Sequence, residues 1–305
     1  MTFIPAEPEV PEAQRAAGPL VLRYEDISQN GKLLLDAMPV VLGPSVWRAV
    51  WQRGAAPALA AEGIVPILSR FVIEGGEGPL SVMSKVEGDG RFQIAHTVGA
   101  DGAVERLMLN MWCNVYGEAG RTHGPPPANA GERLLAGRVF AEHVITRPFG
   151  PLEARKITRV SVPGLPEVPP DRHAWRPPEA SIELPPGARW LDDAFTLDAT
   201  HVLFGLDHTD SNQHVNSLVY PRLFVDAALR RLWDHGWKNP QIARAAEIAY
   251  RKPSFAGERV RVALRAFARD DAAGVAAILM SDEEAQGPIE KARPRVFARM
   301  WFGES

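Results

Sequence analysis

The sequence predicts an α+β protein built from two similar halves. In the second half, an amphipathic helix is followed by strand-like segments that turn residues separate. A faint internal repeat gives the first half the same order of elements, and a proline-rich segment lies between the two halves. One helix followed by antiparallel strands is typical of the α+β class, and a sheet wrapped around that helix would bury its apolar side.

Length, composition and charge are those of an ordinary globular protein. The 305 residues are enough for two domains of about 100–150 residues, and 46% of them are hydrophobic. A net charge of −3 leaves no basic excess for nucleic acid. The single cysteine excludes an internal disulfide and suits a reducing cytoplasm. No apolar run reaches the roughly 18–20 residues of a membrane span.

The distribution of prolines predicts four segments. Residues 1–19 are rich in Pro, Ala and Glu without a secretory-signal pattern, which predicts a flexible tail. Residues 20–117 form a first unit. Residues 118–190 hold about half of the prolines and are expected to be a linker draped over the surface, with short strands at 138–144 and 156–162. Residues 191–305 form a second unit.

Aligning the chain with itself at an offset of 182 positions (221 minus 39) reveals the repeat. Three identical pairs then coincide: Pro39 with Pro221, Arg48 with Arg230, and Trp51 with Trp233. A Met-Trp pair also recurs near the end of each half, at 111–112 and 300–301, with a slightly different offset. We therefore expect both halves to share one fold.

A helix over 217–235 is the best-defined element of the second half. Its apolar side chains lie on one arc, Pro221 fits the first turn, and Gly236 is a suitable stop. Strands are expected at 247–251, 258–268, 275–281 and 295–302. In the first half Gly43-Pro44 interrupts the helical region, and the expected strands are 67–74, 80–87, 91–98 and 104–115.

The stretch from Asp210 to Tyr220, directly before the helix, contains the most reactive side chains. Cleavage of a thioester needs a carboxylate that attacks the carbonyl or takes a proton from water, and donors for the developing oxyanion. Asp210 can be that carboxylate, and backbone N–H groups at the helix start can be the donors. Asn212 and Asn216 can orient water or the carboxylate, and His214 can donate to the carbonyl or exchange a proton.

The same stretch also has a simpler interpretation. Asp, Ser and Asn are the usual residues that cap a helix N-terminus. His214 can then be a hydrogen-bonded turn residue. Residue types alone leave capping and catalysis both open.

The stretch closely resembles the signature of the hot-dog thioesterases, an Asp followed four positions later by His-Val-Asn and then by a helical Tyr. Its Asn-Gln-His-Val-Asn core is especially similar to that of acyl-carrier-protein thioesterases of plants and bacteria. Residues 249–254 and 257–260 resemble the next strand of that family, and the resemblance spans about residues 195–303.

The resemblance implies a double hot-dog fold, in which an antiparallel sheet wraps around a central helix in each half. It also implies the catalytic set Asp210, Asn212 and His214. Four further residues are expected to stabilise the oxyanion or position the substrate: Asn216, Ser217, Leu218 and Tyr220. No cofactor is expected, and no residue spacing indicates a metal site.

Two departures from the family shape the expectation. Pro253 and Ser254 stand where plant-type enzymes carry an acid and a cysteine, which leaves Glu247 and Glu258 as candidate replacements for the acid. The repeat places Ser28 opposite Asp210, Asn30 opposite Asn212, Lys32 opposite His214 and Leu34 opposite Asn216. We therefore expect one site per chain, in the second half, with the first half as a structural and substrate-shaping partner.

The remaining reactive residues are predicted to be structural. Neither His201 nor His208 has metal-like spacing, His96 lies on a predicted strand, and Cys113 is expected to be a buried, inert thiol. Five basic residues can meet an acidic carrier protein or the phosphates of coenzyme A, although a solvated surface is the simpler role: Arg230, Arg231, Arg244, Arg251 and Lys252.

The sequence therefore predicts a cytoplasmic thioesterase acting on an acyl thioester of acyl carrier protein or coenzyme A. The first alternative keeps the fold but performs dehydration, acyl transfer or cyclisation on a thioester-bound intermediate. The second is a non-catalytic acyl-binding protein. A homo-oligomer formed through the sheets is compatible with the sequence.

Overall fold

A computed structural model describes residues 3–53, 55–163, 165–238 and 241–304, with Glu304 described by its backbone only. One antiparallel sheet of eleven strands dominates this part of the chain. The strands are β1 Arg15–Leu20, β2 Val65–Gly75, β3 Val86–Val98, β4 Val104–Glu118, β5 Arg133–Thr146, β6 Arg189–Trp190, β7 Thr196–Leu203, β8 Gln241–Tyr250, β9 Arg259–Arg269, β10 Ala272–Ser281 and β11 Val296–Glu304.

The order of the strands shows that the two halves have matching sheets. The first half runs β1-β3-β4-β5-β2 and the second runs β8-β11-β10-β9, with β7 and β6 both pairing with β9. β2 and β8 join the halves as antiparallel neighbours, with Phe71 opposite Ile248. Each half therefore repeats the same topology on its own side of this seam, and the expected double hot-dog fold is confirmed.

The central helix of the second half is α3, Val219–Asp234, close to the predicted 217–235. Its apolar arc packs on β8, β9 and β10, and Phe224, Ala228 and Leu232 are fully buried. Burying side chains of this size stabilises the fold by about 1.5–3 kcal/mol for each large one. α3 therefore packs against one face of the sheet, and the preceding loop leads directly into its first turn.

The corresponding helical region of the first half is broken. A 3₁₀ segment Met38–Leu42 and a π-helical turn Gly43–Trp47 precede the short helices α1 Arg48–Arg53 and α2 Ala56–Ala61. Pro39 and Pro44 have no N–H to donate, which prevents a regular α-helix at this point. The interruption predicted at Gly43-Pro44 is thus present.

Several first-half predictions need correction. The segments 80–87 and 91–98 do not form two strands: β3 begins at Val86, and Leu80 makes only an isolated bridge with Ala119. No strand covers 156–162, where only Lys156 forms a bridge, with Thr146. Both segments contain an uninterrupted run of non-proline residues, so their lack of strand pairing is a matter of tertiary placement and not of missing N–H groups.

The predicted flexible tail and the predicted surface linker both contribute strands to the sheet. Within 1–19, β1 pairs with β3, and the Phe3 N–H donates to the carboxylate of Glu74. Within the 118–190 segment, β5 is an interior strand between β4 and β2. The sheet of the first half therefore extends to Thr146, well past the expected boundary at 117.

Candidate active site

The stretch from Asp210 to Tyr220 forms a tight turn that leads into α3. Thr209 and Val215 pair across the turn, and the Asp210 N–H donates to the His214 carbonyl at 3.2 Å. Gln213 has a φ of 65°, in the left-handed region that closes such a turn. The Val215 N–H donates to the carbonyl of Ser254 at 2.8 Å, which fastens the turn to the segment after β8.

Asp210 is a half-buried carboxylate held from both sides. The backbone N–H of Asn212 donates to Oδ1 at 2.8 Å, and the side-chain amide of Asn216 donates to Oδ2 at 3.0 Å. A carboxylate oxygen can accept more than one hydrogen bond. Asp210 is therefore fixed in orientation while keeping acceptor capacity for water or a substrate.

His214 and Asn212 lie beside Asp210 without bonding to it through their side chains in the described part of the chain. Nδ1 of His214 is 3.3 Å from the Val215 carbonyl, which can only accept, so this contact needs a proton on Nδ1. That leaves Nε2 of His214 directed to other partners. Asn212 is exposed. The turn thus groups the three predicted catalytic residues but leaves two of their side chains unpaired with the carboxylate.

Of the backbone N–H groups predicted to be oxyanion donors at the start of α3, two already have acceptors within the protein. The Asn216 N–H donates to the His208 carbonyl at 2.9 Å, and the Leu218 N–H donates to Asn216 Oδ1 at 2.8 Å. Among residues 216–218 of the described chain, this leaves only the Ser217 N–H without an acceptor. The N-terminal end of a helix also carries partial positive charge, which favours a developing anion.

A chain of aromatic rings links the first half to this turn. Phe71 on β2 contacts Tyr250 on β8 at 6.2 Å between ring centroids, and Tyr250 contacts Tyr220 at 5.7 Å. Tyr220 in turn contacts Phe204 at 6.1 Å. Burial raises the pKa of Tyr220, against the opposing effect of Ser254, and raises the pKa of Tyr250 well above its usual range. Both phenols therefore stay protonated at neutral pH.

Neither candidate replacement acid faces the site as a free carboxylate. Glu258 accepts two hydrogen bonds from the guanidinium of Arg295, at 2.7 and 3.0 Å, and one from the Phe255 N–H. Glu247 lies on the opposite side of the sheet from α3, because its neighbours Ala246 and Ile248 are the ones that join the helix-facing core. Glu247, one of the two candidates to replace the acid, is therefore not placed to do so.

Glu247 belongs instead to a buried ion cluster at the seam, which residue patterns did not reveal. Its carboxylate pairs with Arg70 of β2, with Arg299 of β11 at 2.6 Å and with Arg176 at 3.3 Å. Arg70 also donates to the Arg176 carbonyl at 2.7 Å. The partners are up to 177 positions apart, so no local spacing could have indicated them.

Next to this cluster, Glu142 accepts a hydrogen bond from His173 at 2.6 Å and from the Ser69 hydroxyl at 2.7 Å. Burial acts to raise the pKa of Glu142, but the hydrogen bond from His173 and the charge of Arg70 outweigh it and hold the pKa below its ordinary value. These contacts fasten the proline-rich segment to the sheet.

The other predicted structural residues have partners that fit that role. His201 contacts Asp282 at 3.0 Å, His208 accepts from the Gly205 N–H at 3.0 Å, and His96 contacts the Pro169 carbonyl at 2.8 Å. Burial raises the pKa of the Cys113 thiol to about 12, which keeps it protonated and unreactive. In the described ranges, no three His, Cys, Asp or Glu residues are grouped to hold a metal ion.

The counterpart turn of the first half has the same backbone and different chemistry. Ile27 and Leu33 form the bridge that matches Thr209 and Val215, each 182 positions earlier (209 minus 27). Ser28 takes the place of Asp210, and burial together with the charge of Arg244 lowers the pKa of Lys32 there. The turn thus has neither a carboxylate nor an imidazole at the matching positions.

Comparison with solved structures identifies the fold. The chain is similar to a protein assigned as an oleoyl thioesterase from Lactobacillus plantarum, with a TM-score of 0.60 and 12% identity over 96% of this chain and 97% of that one. It is also similar to an acyl-ACP thioesterase from Bacteroides thetaiotaomicron, with a TM-score of 0.54 and 15% identity over 96% and 99% of the two chains.

A third similar structure is the 12:0-ACP thioesterase from Umbellularia californica, with a TM-score of 0.56 and 12% identity over 96% of this chain and 95% of that one. Neither a family sequence model nor a curated protein matches the chain. The likeness therefore extends over both halves and establishes the double hot-dog fold. No helix in the described ranges is long and apolar enough to cross a membrane.

Proposed function

We propose that the protein is a thioesterase that hydrolyses an acyl thioester of acyl carrier protein or coenzyme A. One observation carries the proposal: the Asp210 carboxylate is held by Asn216 at the start of α3, next to the free N–H of Ser217. A fixed carboxylate and an unused donor at a helix N-terminus are the two elements that thioester cleavage requires. The similar solved structures named as thioesterases support it.

In this proposal Asp210 supplies the base or the nucleophile. It takes a proton from a water molecule that attacks the thioester carbonyl, or attacks that carbonyl itself and is then released by water. In both routes the C–S bond breaks, the sulfur receives a proton, and the products are a carboxylic acid and a thiol. General-base assistance of this kind typically contributes about 10²–10⁴ in rate.

The neighbouring groups have separate roles. The Ser217 N–H and the positive end of α3 stabilise the oxyanion. The Val215 contact keeps the proton of the neutral His214 ring on Nδ1, so the free Nε2 first accepts a proton; it then passes that proton to the leaving sulfur or, while it holds it, donates to the carbonyl. The exposed amide of Asn212 orients water or substrate at the mouth of the site. Leu218 and Tyr220 shape the wall of the site, and the second unit, 191–305, thus contains all the catalytic groups.

The proposal also includes a choice between the two carriers, acyl carrier protein and coenzyme A. Two of the similar structures are named for acyl carrier protein thioesters, which favours that substrate over coenzyme A. Of the five basic residues considered for carrier binding, three pair with carboxylates of this chain and are less available to a partner: Arg230, Arg231 and Arg251. A cytoplasmic location is part of the same proposal and rests on the single cysteine.

The decisive experiment measures thiol release from a panel of acyl thioesters of both carriers. We expect Asp210→Asn to lower kcat by about 10³-fold, because the amide cannot accept a proton. The matched control is Ser28→Ala, at the equivalent position of the first turn, which should leave turnover unchanged. Equal rates for wild type and Asp210→Asn would refute the catalytic assignment.

A second candidate keeps the fold and changes the reaction. It is favoured by Pro253 and Ser254, which leave the segment after β8 without the acid of plant-type enzymes, while the carboxylate of Glu258 is engaged by Arg295. Dehydration, acyl transfer or cyclisation on a thioester-bound intermediate would then replace hydrolysis. Mass spectrometry separates these cases, because dehydration retains the thioester. Saturable acyl binding without turnover would indicate a binding protein instead.

A further inference from the structure

We infer that Tyr250 is a positioning residue for the oxyanion donor, acting through the peptide between Ser217 and Leu218. The phenol hydroxyl donates to the Ser217 carbonyl at 3.1 Å, across 33 positions of sequence. Tyr250 is the last residue of β8, the strand at the seam between the halves. The role rests on the proposed hydrolysis at Asp210, because it concerns the donor that this reaction needs.

The sequence explains why the Ser217 carbonyl needs an external donor. Ser217 directly precedes Leu218, the N-cap of α3; if the helix began one residue earlier, this carbonyl would accept from the N–H four residues later. That residue is Pro221, which has no N–H. The hydroxyl of Tyr250 supplies the missing hydrogen bond, so the start of α3 is completed by a side chain from the sheet.

The peptide between Ser217 and Leu218 is consequently held at both ends. Its carbonyl accepts from Tyr250, and its N–H donates to the Asn216 side chain at 2.8 Å. The same Asn216 side chain donates to Asp210. Because this peptide fixes the backbone next to the free Ser217 N–H, its orientation sets where that N–H points relative to the carboxylate.

The surroundings of Tyr250 suit a fixed donor. Phe71 and Tyr220 contact its ring at nearly perpendicular angles of 79° and 72°. These contacts bring one ring from the first half and one from α3 against the same phenol. A half-buried ring that is held between two other rings loses little further entropy when its hydroxyl makes a hydrogen bond, so the bond is well ordered.

The test compares Tyr250→Phe with Tyr250→Phe/Pro221→Ala. We expect Tyr250→Phe to lower kcat by about 10-fold or more and to change KM by less than about twofold, since the donor is misplaced and the substrate contacts remain. The double variant restores an N–H four residues after Ser217 and should recover most of the lost kcat. Tyr116→Phe, which removes a hydroxyl on β4, and Pro221→Ala alone should leave kcat unchanged.

Amide signals give a readout that does not depend on turnover. In Tyr250→Phe the Ser217 and Leu218 amide resonances should shift, and the Leu218 amide should exchange faster with solvent; the double variant should reverse both changes. Unchanged kcat and amide signals in Tyr250→Phe would overturn the inference. A loss of kcat that the double variant fails to recover would also overturn it. If the wild type shows no turnover, the proposed hydrolysis fails, whereas the amide signals still decide whether Tyr250 positions this peptide.

Discussion

The turn at 205–219 and its counterpart at 23–37 share the same backbone hydrogen bonds but differ in their reactive side chains. Each begins with a 3₁₀ segment, Leu206–His208 in one and Tyr24–Asp26 in the other. Two backbone hydrogen bonds recur at the matching positions, all with a length of 2.9 Å. The Gln213 N–H donates to the Asp210 carbonyl, as the Gly31 N–H does to the Ser28 carbonyl. The Asn216 N–H donates to the His208 carbonyl, as the Leu34 N–H does to the Asp26 carbonyl.

Comparing the two turns separates the hydrogen bonds that form the turn from the side chains proposed to take part in the reaction. The backbone bonds persist where Asp210 becomes Ser28 and Asn216 becomes Leu34, so the turn does not depend on those side chains. In both turns a backbone N–H donates to a carboxylate, but of these two described segments only the second has a side-chain amide that does so, from Asn216 to Asp210. The bond from Asn216 is thus not part of what the turn needs to form, which supports the catalytic role proposed for Asp210.

Among the changes that compare the two turns, the largest effect should come from making the second turn resemble the first. His214→Lys introduces the residue found at position 32 and should lower kcat by about 100-fold, since a lysine does not exchange its proton readily near neutral pH. Lys32→His is the reverse change in the first turn and should leave turnover as in wild type. Steady-state thiol release measures both. Comparable losses in the two variants would show that both turns take part in the reaction.

The next largest effect is a loss of stability on substituting the residue of each turn that has a left-handed backbone conformation, Gly31 or Gln213. Gly31 has a φ of 83°, and a Cβ added there would collide with the Cβ of Pro79. Gly31→Ala should therefore destabilise the protein by about 2–3 kcal/mol, from backbone strain and overpacking together. Gln213 already has a side chain at its φ of 65°, so Gln213→Ala should cost less than about 0.5 kcal/mol. Urea unfolding measures both, and equal costs would contradict the assigned geometry.

The smallest predicted effect is a pH-dependent loss of stability that arises in the interior of the first half and not in that of the second. His143 on β5 is buried against Trp47 in the first half, whereas β8 to β11 contain no histidine. Burial lowers the pKa of His143 to about 4, from 6.5 when unfolded. The unfolded chain therefore binds more protons between these values, so stability is complete above pH 6.5 and falls as the pH drops towards 4.

Lowering the pH from 7 to 5 should thus cost about 2 kcal/mol of unfolding free energy through His143. His143→Phe removes the titrating group and should abolish that part of the pH dependence. His201→Gln, an exposed histidine paired with Asp282, provides the matched control and should retain it. A wild-type stability that does not change between pH 7 and pH 5 would show that His143 is not buried in its neutral form.

Much of the fold could be predicted because its signals are local. The apolar arc of α3, the alternation in β9 and the break at Gly43-Pro44 all depend on neighbours within a few positions. The strand at 138–144 was recognised for the same reason. Its place in the interior of the sheet was not, because β5 pairs with β2 and β4, and residue patterns do not encode which distant strands provide free edges.

The candidate site divides in the same way. The family resemblance of the stretch from Asp210 to Tyr220 implied the reaction class, and its position before a helix predicted where oxyanion donors would be found. Residue types could not show that Asn216, rather than Asn212, bonds to the carboxylate through its side chain. They also placed Glu247 among the helper acids, since the strand face of an acid depends on register and not on its identity.

The sequence by itself determined the α+β class, the repeat of two units, the helix of the second half and the reactive turn before it. These features follow from periodicity, proline positions and residue chemistry over short distances. Tertiary structure alone decided that Tyr250 reaches Ser217, that Glu247 is engaged by Arg70 and Arg299, and that the first turn copies the backbone of the second. Each of these features depends on residues far apart in the chain, and only the pairing and register of the strands bring them together.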